Sequence, residues 1–232
     1  MEKVFPAPEQ QPPSPETAKA ERRHSLVGPA ALWKIKRDFQ IQFLKSAGLA
    51  PQSYLFDIGC GTLRGGLPLI EYLQEGHYFG CEVRDNVLEE GRMELAEAAL
   101  GWKNPVLLLA PDISQLDVNQ KFDFMWAFSV LIHLQDEILD RTLGFVSRHL
   151  GCGGVFYANV NVGEAADGEW QGFPLVWRPL AFYRNSCEMH RLTLTDIGSL
   201  SAYGHVSNAE SQDQQRMLRI TQSNQSTERD SL

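Results

Sequence analysis

The residues that could do chemistry in this chain begin with a glycine turn that follows a short apolar strand. The segment 57–66 reads DIGCGTLRGG and comes directly after the apolar run 54–56. Glycines at Gly59 and Gly61 allow positive φ angles and let a ligand approach the main chain closely, which a Cβ atom would prevent. The pattern therefore predicts a strand, a ligand-binding turn and a helix, as in sites for nucleotide-like molecules.

Two side chains in this turn narrow the class of ligand. The carboxylate of Asp57, two residues before the first glycine, would repel the pyrophosphate of a dinucleotide but would favour a ligand that carries positive charge. A dinucleotide fingerprint G-x-G-x-x-G would also need glycine at position 64, where this chain has Arg64. A nicotinamide dinucleotide is therefore disfavoured as the ligand.

Acidic residues at the ends of the next two predicted strands extend this site. Glu82 follows the strand 77–81 and lies 25 residues after Asp57, where one carboxylate can accept hydrogen bonds from both hydroxyls of a ribose. Asp112 follows a third apolar strand. Two alternatives stay open: Glu82 as a helix-capping or solvent-facing acid, and Asp112 as a turn or capping residue before Ser114.

Together these motifs resemble the class I S-adenosylmethionine-dependent methyltransferases, whose first motif has the form acidic-x-Gly-x-Gly. The resemblance implies S-adenosylmethionine as the cofactor, with Asp112 at the adenine amino group and the backbone of Ile113 at a ring nitrogen. The end of the fourth strand, 122–128, would close the pocket over the methionine part. Arg64 would contact either the cofactor carboxylate or an acid such as Glu82. The cofactor-binding residues that the resemblance implies are Asp57, Gly59, Cys60, Gly61, Arg64, Glu82, Asp112, Ile113, Phe128 and Ser129.

The order of the predicted elements gives the fold class. Helical and strand patterns alternate from a first helix, between Pro29 and Gly48, to a late strand at 215–221. Ligands of such sheets bind outside the carboxyl ends of parallel strands. We therefore expect an α/β fold, a Rossmann-like three-layer sandwich with a mostly parallel sheet and helices on both faces. The resembled family implies seven strands, the sixth of them within 192–200.

Four side chains bear on where the predicted helices begin. Asn86 and Glu89 have the spacing of a capping box, and Asp136 can cap the helix that Gly151 ends. Pro68 falls where the helix after the glycine turn should have its interior. That helix therefore either begins just before this proline or is kinked at it.

Length and composition predict one folded domain with unstructured ends. The 232 residues are 43% hydrophobic, which is enough for a single large core. Residues 1–25 are rich in proline and polar residues and should form a disordered arm. Residues 26–222 should form a single methyltransferase domain, and residues 223–232 a disordered tail.

The net charge and the cysteine spacing limit which partners and which cellular location we expect. A formal net charge of −8 disfavours nucleic acid, which is bound through a basic face. No apolar run approaches a membrane span and the N-terminus lacks a signal-peptide core, so we expect a cytoplasmic protein with no membrane partner. The four cysteines form no CxxC pair, and no metal-ligand spacing is present. The basic residues of the first helix form either a solvated face or a lid over an acidic substrate; they are Lys34, Lys36, Arg37 and Lys45.

A long connection before the last helix is the candidate acceptor site. Residues 161–178 contain Trp170, Phe173 and Trp177 among glycines and acids. These rings either seal the core edge or cover an apolar or ring-bearing small molecule. The sheet edge could equally satisfy the two asparagines that alternate along the fifth strand. The candidate substrate-binding residues are Asn159, Asn161, Trp170, Trp177 and Tyr183.

The predicted function is transfer of the methyl group to an oxygen or nitrogen of a small molecule. This reaction needs alignment, exclusion of water and, for some acceptors, removal of a proton. His133 after the fourth strand is the first candidate base, unless it is a packed core residue, and His190 and Tyr183 are weaker candidates. The alternative functions are a protein methyltransferase, a catalytically silent S-adenosylmethionine-binding module and, disfavoured by the glycine turn, a nicotinamide oxidoreductase.

Overall fold

The computed structural model of the protein describes residues 15–223, in which helices and strands alternate. The helices are α1 (Pro15–Ser25), α2 (Trp33–Ser46), α3 (Gly66–Tyr72), α4 (Asp85–Glu97), α5 (Asp136–His149), α6 (Leu180–Met189) and α7 (Glu210–Asp213). The strands are β1 (Leu55–Ile58), β2 (Tyr78–Glu82), β3 (Val106–Leu109), β4 (Phe122–Ala127), β5 (Leu150–Val160), β6 (Gly168–Trp170), β7 (Phe173–Leu175), β8 (Leu192–Ser199) and β9 (Arg216–Gln222). None of the helices between residues 15 and 223 is both long and apolar enough to cross a membrane.

Seven of the strands form one sheet in the order β3-β2-β1-β4-β5-β9-β8. The first five are parallel, and β9 runs antiparallel to both of its neighbours. The strand order reverses between β1 and β4, so the carboxyl ends of these two strands form the switch point where such sheets bind ligands. The predicted fold class, a mostly parallel seven-stranded α/β sheet, is confirmed, and β8 is the predicted sixth strand.

Two apolar cores cover the faces of the sheet. On one face α5 and α6 bury Leu139 and Tyr183 against the strands. On the other face α2 and α3 bury Phe39, Phe43 and Leu69. Removal of these side chains from water holds the three layers together. The glycine turn after β1 lies between the layers, where both cores support it.

The structure decides the predictions about helix ends. Pro68 is the third residue of α3, within the first turn, so its missing N–H removes no helical hydrogen bond. The predicted capping box at Asn86 and the predicted cap at Asp136 are wrong: α4 and α5 begin after Arg84 and Gln135, neither of which makes a side-chain cap. Asp136 is the first residue of α5, and its carboxylate accepts instead from Arg178 Nε at 2.8 Å.

The predicted disordered arm is wrong for residues 15–25, which form α1. Ion pairs fix the helix to α4. Arg23, which is 8% exposed, donates from Nε to Glu90 at 2.8 Å and from Nη1 to Glu97 at 3.0 Å. Its Nε also lies 3.3 Å from Glu94. Composition alone misses such an attachment. Residues 1–14 and 224–232, the rest of the predicted arm and most of the tail, lie outside the described residues.

Arg23→Ala should destabilise the protein, because it leaves a cluster of three glutamates on α4 without their buried cation. Loss of hydrogen bonds to charged groups should cost about 2 kcal/mol, or roughly 4 to 8 °C in melting temperature for a domain of this size. The measurement is thermal unfolding beside Arg22→Ala, whose side chain is 81% exposed. Equal melting temperatures for the two variants would contradict the docking of α1.

Candidate functional site

The glycine turn after β1 has the backbone that its sequence predicts. Gly59 and Gly61 have φ angles of +72° and +59°. A Cβ atom at Gly59 would lie 2.5 Å from a methyl of Val130, and one at Gly61 would lie 2.8 Å from a methyl of Val27. The N–H groups of Gly59 and Cys60 both donate to the Cys81 carbonyl, at 2.8 and 2.9 Å. The turn is therefore fixed to β2 and enclosed from two sides.

Asp57 is the buried carboxyl group at the centre of this site. Tyr78 Oη donates to its Oδ2 at 2.7 Å. Burial raises the pKa of Asp57 to about 7, against the opposing effects of the Tyr78 hydrogen bond and the Arg64 charge. The Tyr78 hydroxyl has room only because position 66 is glycine, where a Cβ atom would lie 2.6 Å from it. Asp57 therefore titrates near neutral pH, and a cationic ligand would favour its charged form.

Arg64 is a buried cation whose hydrogen-bonding capacity is only partly used. Its Nη1 donates to the Val27 carbonyl at 2.9 Å, and its Nε is buried without a partner among the described residues. Burial lowers its pKa to about 10, against the opposing charge of Asp57. Glu82 pairs with Arg84 rather than with Arg64, and the acid whose charge acts on Arg64 is Asp57. Contact with a ligand carboxylate stays the open role for Arg64.

Glu82 presents one carboxylate oxygen to its own loop. Oε1 accepts from the N–H groups of Val83 and Arg84, at 3.0 and 3.1 Å, and from Arg84 Nε at 3.2 Å. Its other oxygen, Oε2, accepts no hydrogen bond from residues 15–223. The loop thus orients the carboxylate at the carboxyl end of β2 and leaves one oxygen for a ligand.

Asp112 after β3 has the capping contacts that were its alternative interpretation. Its Oδ1 accepts from the N–H and the Oγ of Ser114, at 2.9 and 2.7 Å, and Arg141 lies 3.3 Å from Oδ2. These hydrogen bonds, first of all that from the Ser114 hydroxyl, lower the pKa of Asp112. Ile113 beside it is buried. The predicted contacts of this pair with an adenine ring stay a prediction.

The end of β4 contributes an aromatic wall and a strained residue. The Phe128 ring is stacked on Trp126, with centroids 5.6 Å apart, and packs 5.2 Å from Phe39. Ser129 has a φ angle of +59°, and its N–H donates to Asn159 Oδ1 at 2.7 Å. A non-glycine residue in this conformation persists only where its surroundings impose it, typically at a functional site.

Asn159 in β5 and Asn161 directly after it are both hydrogen-bonded within the protein. Asn159 Nδ2 donates to Gln215 Oε1 at 2.6 Å, and Gln215 Nε2 donates to Asn161 Oδ1 at 3.1 Å. Asn161 Nδ2 donates to the Val176 carbonyl. Tyr183 is buried and donates to the Asn161 carbonyl. The structure favours sheet-edge satisfaction of the asparagines over contact with substrate, and Tyr183 has the surroundings of a packing residue.

The predicted long connection contains a two-stranded hairpin, β6 and β7. The rings of Trp170 and Phe173 lie 6.1 and 6.0 Å from the ring of His133. His133 Nδ1 donates to the Pro174 carbonyl at 2.7 Å, and burial lowers its pKa. The guanidinium of Arg84, which pairs with Glu82, lies 5.2 Å from the Phe173 centroid. The hairpin therefore joins the end of β4 to the end of β2.

Trp177 lies at the base of this hairpin rather than beside His133. Its backbone N–H donates to the Asp167 carboxylate at 3.3 Å, and Arg178, the next residue, pairs with the same carboxylate. The Trp177 ring packs 3.6 and 3.8 Å from where Cβ atoms would stand at Gly163 and Gly168. Its substrate-binding role stays a prediction, and the hairpin tip offers Trp170 as the more direct candidate.

A small cavity brings together six of the predicted cofactor-binding residues. Its volume is about 30 Å³, the space of a water molecule or two. Glu82, Asp112, Ile113 and Ser129 stand outside it. Its lining residues are Val27, Gln40, Asp57, Gly59, Cys60, Gly61, Arg64, Gly65 and Phe128.

Sequence reasoning missed the buried face of α2 beside this cavity. Lys36 was assigned to a solvated face or a lid, but it is 8% exposed, and burial lowers its pKa to about 7. Gln40, one turn later, accepts from Trp126 Nε1 at 3.0 Å and lines the cavity. The available signal was periodicity: both residues lie on the same stripe as Phe43.

The chain is similar to methyltransferases in part of its sequence and in its fold. Residues 56–156 match a family described as a methyltransferase domain. No curated protein sequence matches the chain. The chain is similar in structure to an S-adenosylmethionine-dependent methyltransferase from Clostridium acetobutylicum ATCC 824, with a TM-score of 0.63 and 15% identity over 83% of this chain and 92% of that one.

Two further solved structures are similar to the same extent. Magnesium protoporphyrin IX methyltransferase from Synechocystis PCC 6803, with bound S-adenosylmethionine, has a TM-score of 0.62 and 15% identity over 90% of this chain and 92% of that one. A glycopeptide N-methyltransferase complexed with S-adenosylmethionine has a TM-score of 0.61 and 14% identity over 81% of this chain and 93% of that one. At these identities the likeness shows a shared fold.

Asp57→Asn should stabilise the fold at pH 8 but not at pH 4. Because the folded-state pKa of about 7 lies above the ordinary value of 3.8, the wild type is most stable below the ordinary value and loses stability as pH rises through 7. The variant has no such loss, so its gain at pH 8 should be about 4 kcal/mol, from about 1.4 kcal/mol for each unit by which the pKa is raised. Thermal unfolding at both pH values, with the exposed Asp117→Asn as control, measures it. Identical curves for Asp57→Asn and wild type would contradict the buried titration.

Proposed function

We propose that this chain, a class I methyltransferase by its fold and by its match to the methyltransferase domain, transfers a methyl group to an oxygen or nitrogen atom of a small molecule. The resemblance seen in the sequence is confirmed by the family match and the fold. S-adenosylmethionine is the cofactor of this class of enzyme. The observation that carries the proposal is the presence of two buried ionisable side chains of opposite sign, Asp57 and Arg64, beside the glycine turn.

The residues at the carboxyl edge of the sheet fit this cofactor. The unpartnered Nε of Arg64 suits the cofactor carboxylate, and the charged form of Asp57 suits its ammonium and sulfonium groups. The free Oε2 of Glu82 suits a ribose hydroxyl. Asp112 and Ile113 would meet the adenine ring, as the family resemblance implies. When bound, the cofactor supplies a methyl group on positively charged sulfur.

The protein's own contribution to the reaction is alignment and exclusion of water. Phe128 and Ser129 follow β4 at the switch point, where the reacting methyl group should lie. The hairpin places Trp170 and Phe173 over His133 at this edge. Apolar walls that exclude water strengthen the electrostatic contacts inside the site and keep the acceptor aligned with the methyl group.

Three features support a small molecule as the acceptor. The formal net charge of −8 removes the electrostatic attraction that nucleic-acid enzymes use. The hairpin offers stacked aromatic rings suited to an apolar or ring-bearing compound. Structural neighbours are named for magnesium protoporphyrin IX and for a glycopeptide. We further propose a cytoplasmic location, because Cys60, Cys81, Cys152 and Cys187 are all free thiols.

The protein should bind S-adenosylmethionine and S-adenosylhomocysteine with dissociation constants of about 1 to 50 μM, and Glu82→Gln should weaken both roughly tenfold. The loss follows from replacing a charged acceptor of the ribose hydroxyls by an amide. Calorimetry with NAD as the comparison ligand measures it, and Glu89→Gln, on the exposed face of α4, is the control. Binding of NAD without binding of S-adenosylmethionine would contradict the proposed function.

Trp170→Ala should impair turnover at least tenfold more than it impairs cofactor binding, because it removes an aromatic contact on the acceptor side. Methyl-labelled S-adenosylmethionine with fractions of a cell extract is the assay, and label should appear in the low-mass pool. Trp102→Ala, at a side chain that is 63% exposed, is the control. Label found only in macromolecules would contradict a small-molecule acceptor.

A further inference from the structure

A buried histidine–carboxylate pair lies in the connection between β8 and β9. His205 Nδ1 is 2.8 Å from Asp213 Oδ1. Asp213 is fixed in turn by Ser207, whose N–H and Oγ donate to it at 2.9 and 2.7 Å. Because an ionised carboxylate only accepts, the Nδ1 atom carries the ring proton. Nε2 of the neutral ring therefore holds a lone pair.

This Nε2 atom is buried and has no hydrogen-bond partner among the described residues. His205 as a whole is only 1% exposed. A buried nitrogen without a partner costs stability, and native proteins keep few of them. His149 shows the ordinary arrangement: it is equally buried, its Nδ1 donates to the Phe145 carbonyl, and its Nε2 accepts from the Val118 N–H. Only His205 of this pair has an unused acceptor.

The topology places His205 at the ligand edge of the sheet. Because β9 is antiparallel to both β5 and β8, the strand β8 runs parallel to β5 and ends at the same edge. Residues 200–215 follow that end. The His205 ring packs 5.2 Å from Phe39 and 5.8 Å from Phe128, and Phe128 lines the cavity with Asp57. His205 is thus one side chain away from the cavity.

The charges around His205 keep its ring neutral near pH 7. Burial lowers its pKa, the hydrogen bond and charge of Asp213 on α7 oppose this, and the charges of Lys36 on α2 and Arg64 after β1 lower it further. A neutral imidazole can accept a proton, and the adjacent carboxylate stabilises the imidazolium that forms. His133 lacks such support, because its Nδ1 donates to a neutral carbonyl.

We propose that His205, oriented by Asp213, is the general base of the methyl transfer, an inference that rests on the proposed function. A lone pair of the acceptor oxygen or nitrogen forms the new bond to the methyl carbon. The bond from that carbon to sulfur breaks, and its electrons stay on sulfur to give S-adenosylhomocysteine. The proton of the acceptor moves to Nε2 of His205. Asp213 is a positioning residue, which holds the Nδ1–H tautomer and stabilises the charged ring.

The test is single-turnover transfer from methyl-labelled S-adenosylmethionine to the low-mass fraction of a cell extract, between pH 5 and pH 9. The cofactor is saturating at each pH, so that the titration of Asp57 does not limit its binding. Wild-type transfer should rise with pH as the base loses its proton. His205→Gln should bind S-adenosylmethionine within about threefold of wild type but transfer roughly 10²- to 10⁴-fold more slowly, without that rise. His149→Gln, the matched buried histidine, should keep both the rate and the pH profile.

Asp213→Asn is the second variant, and it serves even where His205→Gln fails to fold. Removing the carboxylate destabilises the imidazolium, so the midpoint of the rising limb should move to lower pH and the maximal rate should fall. A wild-type rate and profile for His205→Gln, an unshifted midpoint for Asp213→Asn, or loss of the limb in His133→Gln alone would overturn the assignment of the base. A wild type that neither binds S-adenosylmethionine nor transfers label would overturn the proposed function instead.

Discussion

Burial of the Asp57 carboxyl group at the end of β1 is the constraint on which the rest of this site depends. A carboxyl group removed from water resists ionisation, and here the Tyr78 hydroxyl and the Arg64 guanidinium partly restore the charged form. Arg64 is itself buried, and its guanidinium donates to the backbone carbonyl of Val27. The folded protein thus holds two incompletely compensated charges against a glycine turn. Such an arrangement costs stability and is suited to a ligand with groups of both signs.

The segment that encloses these charges, residues 26–27, is held in place by two arginines of the site. Arg64 and Arg84 donate to the carbonyls of Val27 and Leu26, at 2.9 and 3.1 Å. Helix α1 just before this segment is fixed to α4 through Arg23. The covering of the glycine turn is therefore made of hydrogen bonds and ion pairs. Water competes with such contacts more effectively than it competes with an apolar core.

Sequence reasoning found what local patterns encode. The glycine turn, the apolar strands and the acid at the end of β2 are short-range signals, and the fold class followed from their order. Two features escaped because they depend on distant parts of the chain. Helix α1 is fixed by a cation that reaches glutamates 67 and 74 residues away. His205 and Asp213 lie eight residues apart, a spacing that predicts no site by itself. Only the sheet topology shows that the pair lies at the ligand edge.

The glycine at position 66 shows how volume and charge are linked in this site. Its backbone requires no positive φ angle, so a larger residue there would be excluded by volume: a Cβ atom would stand 2.6 Å from the Tyr78 hydroxyl and 2.8 Å from a methyl group of Leu63. Displacing that hydroxyl removes the hydrogen bond that helps Asp57 to ionise. One added methyl group at position 66 would thus favour the uncharged form of Asp57. The size of the side chain at position 66 therefore affects the proton affinity of the Asp57 carboxyl group.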